Sequence, residues 1–251
     1  MDARPRVLVI GGSDSSGGAG ITRDVCALTD WHVEAAVAIT AVTVQTDRTV
    51  RSIHHVPPEV IAEQITSALA MHSIAAIKIG MLGCLRSLQA VLAALPSGSA
   101  PPVVLDPVLT ASSGRALLEA DAVAMLCRQL LPRVTLLTPN IPEAAALLQR
   151  SVASDQASMQ LQAQALLELG PQAVLLKGGH ATSAEAVDVL VTREGTVESL
   201  RAPRVAATMR GTGCMLASVI AARLAVHAPL LQACVESKRY VNERLQAVRA
   251  G

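Results

Sequence analysis

Short apolar runs rich in β-branched residues recur along this chain, each followed by glycine or polar residues and then by helical periodicity. That alternation constrains the fold more than any other feature. Val7–Ile10, Ala35–Thr40, Ala75–Ile79, Val103–Leu105, Val134–Leu137 and Ala173–Leu176 read as strands. Helical patterns lie between them, at about Ala19–Thr29, Pro58–Met71, Ser87–Leu95, Asp121–Leu131, from Pro142 onward, and Asp155–Leu169. Strands that are apolar throughout need cover on both faces, so the expected fold is a three-layer α/β/α arrangement around a mostly parallel sheet. Ala186–Val191 and Thr196–Leu200, joined through Arg193-Glu194-Gly195, read as an antiparallel hairpin at one edge. Two helices, from Gly213 and from Leu230, close the chain.

The core of such a fold is unusual here. The chain has no Phe, one Trp and one Tyr, so aliphatic residues and Met must fill it. A net charge of +1 and the near absence of stacking residues argue against nucleic-acid binding. The five cysteines, Cys26, Cys84, Cys127, Cys214 and Cys234, form no CxxC pair or zinc spacing, which fits a reduced, cytoplasmic setting. Cys26, Cys84, Cys127 and Cys234 are expected in the core, as are Met71 and Met81, with a pocket lining as the other reading for Met81. No signal peptide is legible, and no apolar run approaches the ~20 residues of a membrane span. The one linker-like stretch, Pro96 to Pro102, is too short to divide domains, so residues 1–251 are expected to form a single domain.

Ligands of open α/β sheets bind beyond the carboxyl ends of the strands, and the chemistry-bearing residues cluster there. After the first strand comes Gly11-Gly12-Ser13-Asp14-Ser15-Ser16-Gly17-Gly18-Ala19-Gly20. It lacks the Lys-Ser/Thr of a P-loop and fits no GxGxxG frame, leaving a flexible turn or a substrate loop with Asp14 as its carboxylate. Asp106 ends a strand; Asn140 and Glu143 open a helix, where Asn140 reads as its cap and Glu143 either complements the helix dipole or joins Asp106 in holding Mg²⁺. Lys177 leaves an apolar strand at Gly178-Gly179, suited to countering phosphate. His180 beside it reads as a nucleotide contact or a surface residue, and Gln45 as an amide able to grip a heterocycle. Gly211-Thr212-Gly213-Cys214 opens a helix whose first N–H groups lack partners, an anion-binding geometry, with a thiol whose pKa is expected to be lowered.

These motifs resemble, in order and from about Arg6 to Leu245, the hydroxymethylpyrimidine/phosphomethylpyrimidine kinase family of thiamine biosynthesis, within the ribokinase-like superfamily. The carriers are Gly12 to Ile21, Lys78-Ile79-Gly80-Met81-Leu82, Asp106-Pro107-Val108, Thr138 to Ala144, Lys177-Gly178-Gly179-His180 and Gly211 to Cys214. The resemblance implies transfer of the γ-phosphoryl of ATP, with Mg²⁺, to 4-amino-5-hydroxymethyl-2-methylpyrimidine and then to its monophosphate. It implies Cys214 as the activator of the hydroxymethyl oxygen and Gly211, Thr212 and Gly213 as the anion hole. Gln45 would contact the aminopyrimidine, with Gly12, Asp14, Val44, Met81 and Val108 around the ring. Asp106, Asn140, Glu143, Lys177 and Arg210 would serve the nucleotide, Asp106 and Glu143 holding the metal. A homodimer is also implied.

The chain departs from that pattern at Thr22-Arg23-Asp24, at Thr208-Met209-Arg210, at Met215 and at Thr110-Ala111-Ser112-Ser113, where the family commonly carries a Lys. Arg210 would compensate for that Lys by pairing with phosphate, so its loss should weaken the second phosphorylation more than the first. Two other readings stand beside the kinase: a pyridoxal/pyridoxine kinase, and a non-catalytic pyrimidine- or nucleotide-binding relative.

Overall fold

A computed structural model describes residues 4–97, 100–111, 114, 116–179 and 185–250. Ser112, Ser113 and His180, singled out above, lie outside the described residues, as do Gly98 and Ser99 of the linker-like stretch. The strands are β1 (Arg6–Asp14), β2 (Glu34–Gln45), β3 (Val50–His55), β4 (Ile74–Ile79), β5 (Val103–Leu105), β6 (Leu136–Leu137), β7 (Ala173–Leu176), β8 (Glu185–Thr192) and β9 (Val197–Pro203). The helices are α1 (Gly20–Asp30), α2 (Pro58–Met71), α3 (Leu85–Ala94), α4 (Ala120–Met125), α5 (Ile141–Leu148), α6 (Gln156–Leu167), α7 (Thr212–Ala225) and α8 (Leu230–Ala250).

The strands form one sheet in the order β3-β2-β1-β4-β5-β6-β7-β8-β9. From β2 to β7 all neighbours are parallel, and β8 and β9 add the antiparallel hairpin. Alternation along the strands divides the apolar residues between two cores. Leu8, Ile10, Ile77, Ile79, Leu105, Leu137 and Leu176 pack on one face with residues of α2 to α6. Val7, Val9, Ala76, Val104, Leu136 and Leu175 pack on the other with α1, α7 and α8. The three-layer α/β/α architecture follows directly.

The structure differs from the sequence reading in four places. First, β1 and β2 run on past the core. Gly12–Asp14 pair with Ala41–Thr43 beyond a register shift after Gly11, so the glycine segment begins as strand rather than loop. Second, β3 pairs antiparallel with β2 at the other edge. Its sequence, Val-Arg-Ser-Ile-His-His, is too polar to stand out, because an edge strand needs little burial. Third, the helix read over Asp121–Leu131 is α4, then a π turn over Leu126–Leu130 and a 3₁₀ turn over Leu131–Arg133, where Pro132 lacks the donor needed to continue. Fourth, the expected core places Cys26 and Met71 wrongly. Cys26 is exposed on α1 and Met71 is 76% exposed at the end of α2. Cys234 is buried as expected, and Cys84 and Cys127 are half-buried.

Candidate active site

The carboxyl ends of β1, β4, β5, β6 and β7 open into a cavity of about 1050 Å³, whose roof is the N-terminus of α7. Of the described site residues named above, all but Val44 border it. Val44 is a correction. Side chains alternate across a strand, so Thr43 and Gln45 face the cavity while Val44 stands 44% exposed on the other side of β2.

Gly211 begins α7 in the left-handed region, φ 73°, and no side chain caps the helix. A Cβ there would lie 2.6 Å from the Gly18 carbonyl oxygen, so only glycine allows the substrate loop to close against this turn. The first intrahelical acceptor is used by Met215, whose N–H donates to Gly211. The amides of Thr212, Gly213 and Cys214 therefore have no acceptor within the helix. At Gly213 a Cβ would come within 3.1 Å of Lys177 Nζ and 3.2 Å of Asp106 Oδ2, which brings the helix start directly onto that ion pair.

Lys177 Nζ donates to Asp106 Oδ1 at 2.8 Å. Burial opposes the lysine's charge, yet Asp106 and Glu143 outweigh it and hold its pKa above the ordinary range. Asn140 and Glu143 form a capping box: Asn140 Oδ1 accepts from the Glu143 amide, and Glu143 Oε2 accepts from the Asn140 amide, both at 2.8 Å. The cap fixes the Glu143 carboxylate where it feels the charges of Lys177 and Asp106. Burial pushes Glu143 up; the Lys177 charge pulls it back, the Asp106 carboxylate raises it further, and the Asn140 and Leu109 amides lower it. Val108, just before Leu109, is held at φ 41°, a strained conformation for a β-branched residue.

The thiol of Cys214 corrects an expectation. Burial pushes it up to about 11, against the pull of Lys78 and the Gly20 amide, while Asp24 and Asp106 raise it further. The helix start does not make this a free thiolate; desolvation and two carboxylates keep the proton on. Cys214 is half-buried and borders the cavity.

Beneath it lies a group that sequence reasoning missed. Lys78, 1% exposed, donates to both oxygens of Asp24 at 2.8 Å, and Ser218 donates to Asp24 Oδ1 at 2.8 Å. Burial pushes the Asp24 carboxyl up, but three donors on two oxygens are the geometry of a carboxylate, and we read an ion pair. The signal was available: a lysine inside Ile-Ala-Ala-Ile-Lys-Ile has no reason to be there unless it is paired. A second missed pair lies on the far side, where Asp188 accepts from Lys238 Nζ at 2.7 Å and from the Gly178 amide at 2.9 Å.

Arg210 stands on the side of the substrate loop, not of Lys177. Its guanidinium donates to Asp14 Oδ2 at 3.0 Å, to Ser16 Oγ at 2.7 Å and more distantly to Asp47 at 3.4 Å. Asp14 Oδ1 is taken by the Ser16 amide and hydroxyl, both at 2.8 Å, so the carboxylate read as a ligand contact is here a brace of its own loop. Gln45 is tied at its backbone to Ser15 and leaves its side-chain amide to the cavity. Met81, buried, packs with Ala41 and Leu117.

A parallel sheet with an uncapped, glycine-opened helix start over its strand ends, flanked by a lysine–aspartate pair and a thiol, is a ribokinase-like kinase architecture. The chain matches the phosphomethylpyrimidine kinase family model over residues 14–251, and it belongs to that family. A hydroxymethylpyrimidine/phosphomethylpyrimidine kinase of Rhizobium meliloti (strain 1021) is 39% identical over 241 residues, 96% of this chain and 90% of that one. The crystal structure of a phosphomethylpyrimidine kinase from Clostridium difficile 630 superposes with a TM-score of 0.84 at 32% identity, over 96% of this chain and 99% of that one. The pyridoxal kinase of Staphylococcus aureus, solved with AMP-PCP and pyridoxal, superposes with a TM-score of 0.87 at 26% identity, over 97% and 88%.

Proposed function

We propose that this chain transfers the γ-phosphoryl of ATP to the hydroxymethyl oxygen of 4-amino-5-hydroxymethyl-2-methylpyrimidine and then to the resulting monophosphate. One observation carries the reading. The unpaired amides of Thr212, Gly213 and Cys214 sit between a heterocycle-sized wall (Gly12, Gln45, Met81, Val108) and a charged wall (Asp106, Glu143, Lys177). Phosphoryl transfer is mostly positioning plus neutralisation of the equatorial oxygens, and that turn offers N–H donors where the migrating group must pass. Lys177, held by Asp106, supplies a fixed positive charge to the donor phosphates. Cys214 takes the acceptor proton. Burial favours the protonated thiol and Lys78 opposes it, so the reaction draws on the minor thiolate form, which takes the hydroxyl proton as the acceptor oxygen bonds to phosphorus and gives it up to solvent when product leaves.

Asp106 and Glu143 fit Mg²⁺ as partners reached through water. Asp106 keeps Oδ2 clear of Lys177, and Glu143 is fixed beside it by the cap. Among the described residues no group of three or more His, Cys, Asp or Glu is gathered for a metal, so water and phosphate oxygens would complete the shell. When bound, the ion neutralises phosphate charge. The nucleotide base would lie toward Asp188, Lys238 and β9.

Single-domain organisation, a homodimer and a cytoplasmic setting belong to the same proposal. The match over residues 14–251 supports the single domain, five free cysteines support a reducing setting, and the homodimer rests on the family resemblance alone. Among the described residues no helix is long and apolar enough to cross a membrane. The likeness to pyridoxal kinase keeps a vitamin B6 acceptor as the second reading. Purified protein given MgATP with each acceptor separately decides between them. Turnover of the pyrimidine alcohol is expected, and exclusive turnover of pyridoxal would replace the first reading by the second. Cys214→Ala should lower kcat by about 10²–10⁴-fold while pyrimidine binding survives; unchanged turnover would remove the thiol from the mechanism.

A further inference from the structure

A kinase that acts on an alcohol and then on its phosphate meets two acceptors of different charge. The alcohol is neutral, whereas the phosphomonoester brings nearly two negative charges at neutral pH. The second acceptor therefore needs positive charge that the first does not. Three lysines bordering the cavity are each held by a carboxylate, Lys78 by Asp24, Lys177 by Asp106 and Lys238 by Asp188, and Lys177 is assigned to the donor phosphates. Of the two guanidinium groups flanking Gly211, Arg210 is likewise paired, with Asp14 and at longer range Asp47, whereas Arg23 has no ion pair among the described residues.

Arg23, in the first turn of α1, borders the cavity. Its Cγ lies 3.0 Å from where a Cβ on Gly211 would be, so the stem is packed against the helix-opening turn. Its Nε is buried and has no hydrogen-bond partner. A guanidinium cannot shed its charge, and an unmet buried donor on it is costly unless a ligand meets it. Arg210 directly precedes Gly211 on the acceptor side, and its Nη1 lies 2.9 Å from where a Cβ on Gly18 would be. It is braced by Asp14 and Ser16 but keeps donors to spare. Both side chains thus abut the contact of Gly18 with Gly211, one on each partner of it.

Resting on the kinase reading above, we propose that Arg23 and Arg210 are the specificity residues for the phosphorylated acceptor. Their guanidinium groups hold the phosphate that the acceptor already carries, in the forked, charge-assisted manner suited to phosphate. The alcohol makes no such contact. The pair therefore supplies affinity in the second transfer alone.

The test measures kcat and KM for the alcohol and for its monophosphate, at saturating MgATP, in wild type, Arg23→Gln, Arg23→Lys and Arg210→Gln. Gln keeps much of the stem that packs on Gly211. Loss of one charge-assisted contact should raise KM for the monophosphate by about tenfold or more. KM for the alcohol should stay within about twofold in the Arg23 variants, with Arg23→Lys between wild type and Arg23→Gln; in Arg210→Gln, which also unbraces Asp14, the ratio of monophosphate KM to alcohol KM should rise. Equal losses on both acceptors, no loss, or a rise confined to the KM for ATP would overturn the proposal. If Arg23→Gln does not fold, Arg23→Lys and Arg210→Gln carry the same comparison. A wild type that phosphorylates the alcohol but not the monophosphate overturns this inference and leaves the kinase reading intact. A wild type inactive on both pyrimidines sinks the two together.

Discussion

At the scale of single residues, the site is built from charges that hold one another in place. The Lys78–Asp24 pair is sealed under the cavity floor, and its worth is best seen by breaking it. Lys78→Met leaves Asp24 buried with the Ser218 hydroxyl as its donor, a change expected to cost about 3–5 kcal/mol in urea unfolding. Replacing both, Lys78→Met with Asp24→Leu, should recover much of that loss, because no charge is then stranded. Lys78 also lowers the Cys214 thiol, so in the single variant Lys78→Met, which keeps Asp24, alkylation of Cys214 by iodoacetamide should slow at a given pH. Alkylation at the wild-type rate would separate Lys78 from the thiol. Lys177, Asp106, Glu143 and Cys214 were legible from sequence because each follows a strand or opens a helix. Lys78, Asp24 and Arg23 were not, since only three-dimensional packing says which neighbour a buried charge finds.

At the scale of elements, caps and alternation aim the functional groups. The box that opens α5 spends Asn140 on the helix and thereby fixes Glu143. Asn140→Ala should cost about 1 kcal/mol by thermal unfolding. It should also raise KM for MgATP more than KM for the pyrimidine, as Glu143 loses its anchor. An equal effect on both substrates would mean that the cap serves stability alone. Strand alternation explains why Gln45 faces the cavity and Val44 does not, a distinction that motif matching passes over. α2, β5 and β7 have the bounds the sequence predicted, because their patterns are strong and end in clear breaks. β3 escaped notice for the opposite reason, being short, polar and at an edge.

Across the whole molecule, the two cores carry the fold with aliphatic side chains, and the two aromatic rings, Trp31 and Tyr240, meet on the α1/α8 surface at 6.3 Å. Two thiols, Cys234 buried and Cys214 half-buried, link stability to pH. Burial pushes Cys234 up to about 12, with Asp188 adding to the rise, and Cys214 up to about 11. Folded protein then keeps protons that the unfolded chain releases above the ordinary thiol range. The folded state binds more protons in that window, so stability is full below about pH 9 and falls as pH rises toward 11. The urea midpoint should decline over that interval, and Cys234→Ala should flatten the decline. A midpoint as steep in the variant as in wild type would exclude Cys234 as the source.

The order of apolar runs, glycine turns and charged strand ends by itself determined the α/β/α class, the parallel sheet and the strand ends at which the cavity opens. Those are consequences of local pattern: periodicity selects the element, and both-face apolarity demands cover on both sides. Tertiary structure alone decided which charges pair, that Arg210 braces Asp14, that Arg23 lies against Gly211, and that the Cys214 thiol holds its proton. Pairing and desolvation depend on distance between residues far apart in the chain, and no local pattern encodes that distance.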